Sequence, residues 1–219
     1  MDVDLRLYAL VDPAVAGGRT LTDLAGRIAG SATLVQLRDK HSSTRAMIEE
    51  ARALRGVLEP AGVPLLINDR VDVALAAEAD GVHIGQDDIA AADARLLLGR
   101  MAIIGLSVKT VQQAEAAPLE LLDYVAVGGV YATTSKGNTK APIGIAGLRE
   151  IVRTVRARDP DFPICAIAGI NAGNAAAVIA AGADGVAVIS ALSLAPDPAD
   201  AARALRAVVD VALAKRGRT

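Results

Sequence analysis

Two short polar segments, each following an apolar stretch, contain the side chains best suited to metal and phosphate chemistry. Asn68 and Asp69 follow the predicted strand Pro64–Ile67, and Asp88 lies just beyond the predicted strand Gly81–Gly85. A helix-like run connects the two strands. Because neighbouring parallel strands end at the same edge of a sheet, we expect both carboxylates to lie there. They could hold a magnesium ion whose remaining ligands are water and phosphate oxygens.

Helix capping is a competing explanation for both carboxylates. Asp69 could cap a helix that begins near Val71, and Asp88 could cap a helix that begins near Ala90. Capping is the more common role for a single Asp at such a position. The choice therefore depends on whether other predicted strands also end in polar side chains.

The composition indicates one domain with a large aliphatic core. The chain has 219 residues, of which 53% are hydrophobic and only 2% are aromatic. This length suits one domain, here predicted to span residues 1–219. A core of Ala, Val, Leu and Ile is typical of parallel sheets that are covered by helices.

The charge pattern and the cysteine content limit the partners and the compartment. The net charge of −2 favours neither nucleic acid nor an anionic membrane as a partner. Cys165 is the only cysteine, so no internal disulfide forms. Neither a signal peptide nor an uninterrupted membrane-spanning stretch is evident. We therefore predict a cytoplasmic protein with small-molecule ligands; a homo-oligomer is compatible with the sequence.

Apolar strands and helical runs alternate along the whole chain. The predicted strands are Leu5–Val11, Thr33–Val35, Pro64–Ile67, Gly81–Gly85, Ala102–Leu106, Tyr124–Val127, Pro163–Ala168 and Gly185–Ile189. The predicted helices lie near 22–28, 43–58, 71–79, 90–98, 111–116, 147–157, 175–181 and 199–214. Regular alternation favours parallel strands, and eight units predict an α/β fold, a single-domain (β/α)8 TIM barrel. The Ala-Asp-Gly-Val sequence at 79–82 and again at 183–186 is interpreted as a repeated turn without chemistry.

Polar side chains follow most of the predicted strands. They include Gln36, Arg38 and Lys40 after the second strand, Ser107 after the fifth, the segment Thr133–Lys136 after the sixth and Ser190 after the eighth, whereas a glycine, Gly169, follows the seventh. In a barrel all of these positions surround one mouth, where barrel enzymes have their active sites. This arrangement favours an active site over isolated helix caps.

The residue types at the mouth indicate phosphate binding. Gln36, Arg38 and Lys40 alternate, so in an extended segment they point the same way. Arginine and lysine both suit phosphate oxygens, and Lys136 could close over the same anion from its loop. Gly169 and the Ile189–Ser190 step offer backbone N–H groups for a second phosphate.

No side chain is recognisable as an activated nucleophile. Ser107 and Ser190 have no histidine close in sequence, and His83 lies within a strand, where a packed or hydrogen-bonded core role is expected. The residues therefore favour a reaction that depends on positioning and charge stabilisation.

The chain resembles the thiamine-phosphate synthase family, also called thiamine-phosphate pyrophosphorylase, over nearly its whole length. The motifs that carry the resemblance are Gln36–Lys40, Asn68–Asp69, Gly81–Asp88, Gly105–Ser107, Thr133–Lys136, Ala168–Ile170 and Gly182–Ser190. The resemblance implies the condensation of hydroxymethylpyrimidine diphosphate with hydroxyethylthiazole phosphate, giving thiamine phosphate and diphosphate. It implies a dissociative mechanism in which diphosphate leaves first.

The resemblance also implies a role for each matching residue. Asp69 and Asp88 would hold Mg²⁺. The pyrimidine diphosphate would be bound by Gln36, Leu37, Arg38, Asp39, Lys40, Asn68, Ser107 and Lys136, of which Arg38, Lys40, Ser107 and Lys136 would be catalytic. The thiazole phosphate would be bound by Thr133, Thr134, Ser135, Gly169, Ile189 and Ser190.

One departure from the family pattern bears on the alternatives. Lys109 stands where the family usually has a histidine, two places after Ser107. A thiazole tautomerase-like paralogue, which shares the barrel, is understood to use a histidine near this strand as its proton carrier. That alternative and a non-catalytic regulator of the thiamine pathway remain open, although the full set of diphosphate and metal residues favours the synthase.

Overall fold

Eight parallel strands form a closed barrel in the order in which they occur in the sequence. The computed structural model describes residues 3–133 and 141–217. The strands are β1 (Leu7–Val11), β2 (Leu34–Leu37), β3 (Leu65–Asn68), β4 (Gly81–Ile84), β5 (Ile103–Val108), β6 (Tyr124–Val127), β7 (Ile164–Ile167) and β8 (Gly185–Val188). β8 pairs with β1 through the register Tyr8 to Ala187, which closes the barrel. The predicted single-domain (β/α)8 barrel is confirmed.

Helices follow the strands and cover the outside of the barrel. They are α1 (Leu21–Ile28), α2 (Thr44–Leu58), α3 (Val71–Ala77), α4 (Ala91–Leu98), α5 (Val111–Ala116), α6 (Gly144–Arg158), α7 (Ala175–Ala180), α8 (Ser190–Ser193) and α9 (Pro198–Lys215). Among the described residues, no helix is long and apolar enough to cross a membrane.

The core has two layers, as the period-two alternation of a strand requires. Outward-facing strand residues such as Val35 and Ile67 pack against the helices. Inward-facing residues such as Leu34 and Leu66 fill the barrel, together with the buried rings of Tyr8 and Tyr124. The expected Ala, Val, Leu and Ile core is confirmed, and the two tyrosines are an addition to it.

The repeated Ala-Asp-Gly-Val sequence forms the same structure at both places. Asp80 accepts a hydrogen bond from the backbone N–H of Leu65 at 2.8 Å. Asp184 likewise accepts one from the backbone N–H of Ile164 at 3.0 Å. The following glycine is required, because a Cβ on Gly81 would lie 1.9 Å from a backbone oxygen of β5. The interpretation as a repeated helix-to-strand turn is confirmed.

Three local predictions differ from the structure. The helix predicted near 22–28 begins at Leu21 instead, and the Thr20 side chain caps it by accepting from the N–H of Asp23. Strand β5 extends to Val108, so Ser107 lies within the strand instead of after it. The short helix α8 was not predicted, because four residues are too few to show a helical period.

Candidate active site

A cavity of about 1180 Å³ opens at the carboxyl ends of the strands. This volume is enough for two small substrates side by side. Ten of the predicted site residues line it: Arg38, Lys40, Asn68, Asp69, Asp88, Ser107, Thr133, Gly169, Ile189 and Ser190. The barrel thus brings together side chains that lie far apart in sequence.

The other predicted site residues that the structure describes do not line the cavity. Gln36 is fully buried beneath the cavity, and its Oε1 atom has no hydrogen-bond partner. Leu37 faces the helices and belongs to the outer core layer. Asp39 accepts hydrogen bonds from the backbone N–H groups of His41 and Ser42, which fixes the loop after β2. Thr134, Ser135 and Lys136 lie outside the described residues.

The guanidinium of Arg38 is held by a carboxylate that the sequence did not reveal. Arg38 forms an ion pair with Asp12, which is only 2% exposed and follows β1. Asp12 also accepts a hydrogen bond from the backbone N–H of Ala14 at 2.9 Å. Since a buried carboxylate needs such partners, Asp12 is well placed to fix the position of Arg38 at the cavity.

Two carboxylates face each other across the ends of β3 and β4. Asp88 is close enough to Asp69 to raise its pKa, and Lys40 forms an ion pair with Asp69. Burial raises the pKa of Asp69, and the nearby Asp88 adds to the rise, whereas the ammonium of Lys40 opposes it. A cation between the two carboxylates would relieve their repulsion.

Helix capping explains neither carboxylate. Helix α3 is preceded by Arg70 and helix α4 by Ala90, and neither of these residues makes a side-chain capping bond. Asp69 has a left-handed backbone with φ of 63°, a conformation that Asp tolerates better than most residues. Asp88 accepts a hydrogen bond from the N–H of Gly85 at 2.7 Å, which turns its carboxylate back over the end of β4.

The donor set fits magnesium better than a metal that needs a complete protein cage. The described residues contain no group of three or more His, Cys, Asp and Glu side chains that could hold a metal ion. A pair of carboxylates is what a magnesium ion uses when water and substrate phosphates complete its octahedron. Asp69 and Asp88 therefore fit Mg²⁺ as its two protein ligands, with water and substrate phosphates as the others.

The opposite side of the mouth, after β7 and β8, is built from backbone and small side chains. Gly169 has a φ of 65°, and a Cβ there would lie 2.4 Å from the carbonyl oxygen of Ala132. Ala168 also has a positive φ, of 92°. The Nδ2 group of Asn174 donates to the Gly169 carbonyl at 2.9 Å. This fixed loop and the Ile189–Ser190 step, where α8 begins, form a wall suited to a phosphate.

The floor of the cavity between β4 and β5 contains Ser107 and His83. His83 Nε2 lies 2.8 Å from Ser107 Oγ, and Gln86 donates to the Ser107 carbonyl at 2.7 Å. His83 is only 8% exposed, so its expected role as a hydrogen-bonded core residue is confirmed. Lys109 also lines the cavity, and its backbone N–H donates to Gln113.

The fold and the mouth together define a (β/α)8-barrel enzyme for small-molecule substrates. The sequence model of a protein family, described as thiamine monophosphate synthase, matches residues 7–192. The chain therefore belongs to the thiamine monophosphate synthase family.

Individual relatives cover almost the full length of the chain. A thiamine-phosphate synthase from Agrobacterium fabrum is 52% identical over 215 residues, which are 98% of each chain. One from Chloroflexus aurantiacus is 50% identical over 95% of this chain and 94% of its own.

Solved structures show the same architecture. A thiamine phosphate pyrophosphorylase from Pyrococcus furiosus superposes with a TM-score of 0.83 at 35% identity, covering 96% of this chain and 98% of its own. A 3-hexulose-6-phosphate synthase, at 18% identity and a TM-score of 0.64, shares the fold alone. The predicted family membership is confirmed.

Proposed function

We propose that this protein joins hydroxymethylpyrimidine diphosphate to hydroxyethylthiazole phosphate. The bond between the pyrimidine methylene carbon and the diphosphate oxygen breaks, and a bond from that carbon to the thiazole nitrogen forms. The products are thiamine phosphate and diphosphate. The observation that carries the proposal is that one cavity, in a chain of this family, has two different walls. The charged wall contains Arg38 and Lys40, and the backbone wall contains Gly169 and the Ile189–Ser190 step.

The charged wall is assigned to the diphosphate. Arg38 offers a planar pair of donors and Lys40 a point charge, and both line the cavity beside Asn68. Their counter-charges, Asp12 and Asp69, hold them at the cavity before any ligand binds. A leaving diphosphate gains negative charge as its bond breaks, and groups already in position stabilise that charge most effectively.

Asp69 and Asp88 are proposed to hold Mg²⁺ beside the diphosphate. When bound, the ion neutralises charge on the leaving group. The two carboxylates then act as its anchors, and Lys40 remains close enough to reach the same diphosphate oxygens. Lys136 is also proposed to bind the diphosphate, and its replacement by Ala is expected to weaken turnover.

The backbone wall is assigned to the thiazole phosphate. Gly169, Ile189 and Ser190 line the cavity after β7 and β8, and Thr133 lines it after β6. N–H groups and hydroxyls bind a monophosphate without the strong positive charge that would also attract the diphosphate. This difference keeps the two substrates in their own halves, with the thiazole nitrogen facing the pyrimidine methylene carbon.

Ser107 is assigned to the pyrimidine ring. Its hydroxyl lies on the cavity floor beside the buried His83. A neutral hydrogen-bonding group suits an uncharged heteroaromatic ring better than a diphosphate. In a dissociative reaction such a contact orients the ring while its methylene carbon carries positive charge.

The proposal is tested by mixing the purified protein with both substrates, with and without Mg²⁺. Thiamine phosphate is followed by the fluorescence of its oxidised form. Product that requires all three components supports the synthase. The thiazole carboxylate phosphate is the substrate expected of a thiazole tautomerase. If folded protein yields no thiamine phosphate but converts this compound without diphosphate or metal, the protein is a tautomerase instead. Absence of both activities in folded protein favours the regulator.

A further inference from the structure

A chain of buried hydrogen bonds crosses the barrel interior and ends at Ser107. Ser107 Oγ lies 2.8 Å from His83 Nε2, and His83 Nδ1 lies 2.9 Å from the hydroxyl of Tyr124. The Tyr124 hydroxyl donates to the Tyr8 hydroxyl at 2.9 Å. Tyr8 also accepts from Nε2 of Gln36. Strands β1, β2, β4, β5 and β6 each contribute one residue to this chain.

The barrel is shaped around the Tyr124 ring. Gly105 lies directly opposite Tyr124 in the register of β5 and β6. A Cβ on Gly105 would lie 2.0 Å from the Cζ atom of Tyr124. His83 stacks on the ring with a centroid distance of 5.6 Å, and the Tyr8 ring meets it edge-on at 5.8 Å. These contacts fix the hydroxyl of Tyr124 beneath the histidine.

The direction of donation along the chain follows from counting protons. Burial raises the pKa of both tyrosines, so each hydroxyl keeps its single proton. The proton of Tyr124 is directed at Tyr8, so Tyr124 can only accept from His83. A neutral imidazole has one N–H, which must then be on Nδ1. Nε2 is left as an acceptor, and the Ser107 hydroxyl donates to it.

We propose that Tyr124, supported by Tyr8, is a positioning residue that holds neutral His83 in the Nδ1–H tautomer and thereby makes the Ser107 oxygen a hydrogen-bond acceptor facing the cavity. The inference rests on the proposed function for its catalytic consequence, since Ser107 is taken to contact the pyrimidine. An acceptor at this point suits an N–H donor on the substrate, such as the amino group of an aminopyrimidine. In the opposite tautomer, Ser107 would accept from His83 and have its own proton to donate to the ligand.

The buried end of the chain is the Tyr8 hydroxyl. It accepts one hydrogen bond from Tyr124 and one from Nε2 of Gln36. From Ser107 to Tyr8 the chain therefore donates in one direction. Removing any hydroxyl in it leaves buried polar groups unpaired, which is costly in a low-dielectric interior.

The tautomer can be measured without any substrate. The sequence contains two histidines, His41 and His83, so a ¹⁵N-histidine-labelled protein gives two imidazole spectra, and a His41→Asn variant assigns them. At a pH of about 8.5, well above the ordinary histidine pKa, we expect a protonated Nδ1 and an unprotonated Nε2 in His83. A spectrum with the proton on Nε2, or on both nitrogens, would overturn the inference.

Tyr124→Phe tests the role of the hydroxyl while keeping the ring. We expect the His83 signals to lose their Nδ1–H preference and kcat/KM for the pyrimidine diphosphate to fall by about tenfold. KM for the thiazole phosphate should stay unchanged. The matched control is Thr33→Val, which removes a hydroxyl that bonds β1 at the other end of the barrel and should change neither value. If Tyr124→Phe does not fold, Tyr8→Phe is used instead, because it removes the hydroxyl that accepts from Tyr124.

A double-mutant cycle separates positioning from general loosening of the core. If Tyr124 acts through Ser107, Ser107→Ala combined with Tyr124→Phe should be no slower than Ser107→Ala alone. Two effects that multiply would contradict the proposal. Failure of the wild-type protein to form thiamine phosphate would reject the proposed function, whereas the tautomer is measured independently of that result.

Discussion

The acidic residues at the two ends of the barrel have different partners. At the amino ends of the strands, Asp80, Asp123 and Asp184 each accept a hydrogen bond from a backbone N–H near the start of the preceding strand. Arg95 pairs with Asp123, and Arg156 and Arg216 pair with Asp184. These partners are permanent parts of the fold, so this end of the barrel contributes stability.

At the carboxyl ends of the strands, the acidic residues hold groups that line the cavity. Asp12 pairs with Arg38, Lys40 pairs with Asp69, and Asp88 is close enough to Asp69 to raise its pKa. Two carboxylates side by side do not stabilise a fold unless a cation joins them. We therefore propose that the same residue type serves stability at one end and ligand binding at the other, as expected for a (β/α)8 barrel.

The largest effect on activity is expected from neutralising the carboxylate pair. Asp69→Asn and Asp88→Asn should each lower kcat by about 100- to 1,000-fold, because the metal that offsets the diphosphate charge is lost. Asn is preferable to Ala at position 69, since it tolerates the left-handed backbone. Steady-state rates at saturating Mg²⁺ measure the activity, and thermal melting measures whether the variants remain folded. Near-normal rates in both variants would remove the metal assignment.

A smaller effect is expected when the support of Arg38 is removed. Asp12→Asn should lower kcat/KM for the pyrimidine diphosphate by about tenfold and stability by about 1–3 kcal/mol, because a buried charge-assisted bond is lost. Urea unfolding and steady-state kinetics give both values. The matched control is Asp123→Asn, which breaks a comparable Arg–Asp pair at the other end. Equal losses of activity in the two variants would contradict the division between the ends.

A few-fold effect is expected at Lys109. Lys109 lines the cavity, so Lys109→Met should raise KM for one phosphorylated substrate by about three- to tenfold while kcat changes little. The substrate whose KM changes shows which half of the cavity the lysine serves. Lys215→Met, at the end of α9, makes the same charge change away from the mouth. Identical kinetics in the two variants would mean that Lys109 has no role in binding.

No effect on activity is expected from Asp184→Asn, although the stability of the fold should fall. Asp184 bonds Arg156, Arg216 and the N–H of Ile164, so the variant should lose about 2–4 kcal/mol of unfolding free energy. Chemical denaturation and kinetics well below the melting temperature test this. A loss of kcat/KM comparable with that of Asp69→Asn would show that the amino end of the barrel also controls the site.

The architecture of the barrel could be predicted because each strand and each helix is determined by its own local sequence pattern. Each strand is an apolar run followed by a polar end, and each helix has its own period, so alternation alone indicated the fold. The distinction between a cap and a ligand at Asp69 and Asp88 also depended on the fold, since only the assembled mouth brings the two carboxylates together.

What the sequence did not reveal depends on contacts between distant residues. Asp12 and Arg38 are 26 positions apart, and Tyr8 and Tyr124 are 116 apart. Nothing near either tyrosine indicates a hydrogen-bonded partner. The depth of Gln36 follows from the register of β2 against its neighbours, which places its side chain below the cavity.

The division between the two ends of the barrel is tested most directly by calorimetric titration with inorganic diphosphate, with and without Mg²⁺. We expect the wild-type protein and Asp184→Asn to bind diphosphate tightly only when Mg²⁺ is present. Asp69→Asn and Asp88→Asn should remain folded, but adding Mg²⁺ should no longer strengthen their binding of diphosphate. Metal-independent binding by the wild-type protein, or wild-type binding by Asp69→Asn, would contradict the assignment of the carboxylate pair.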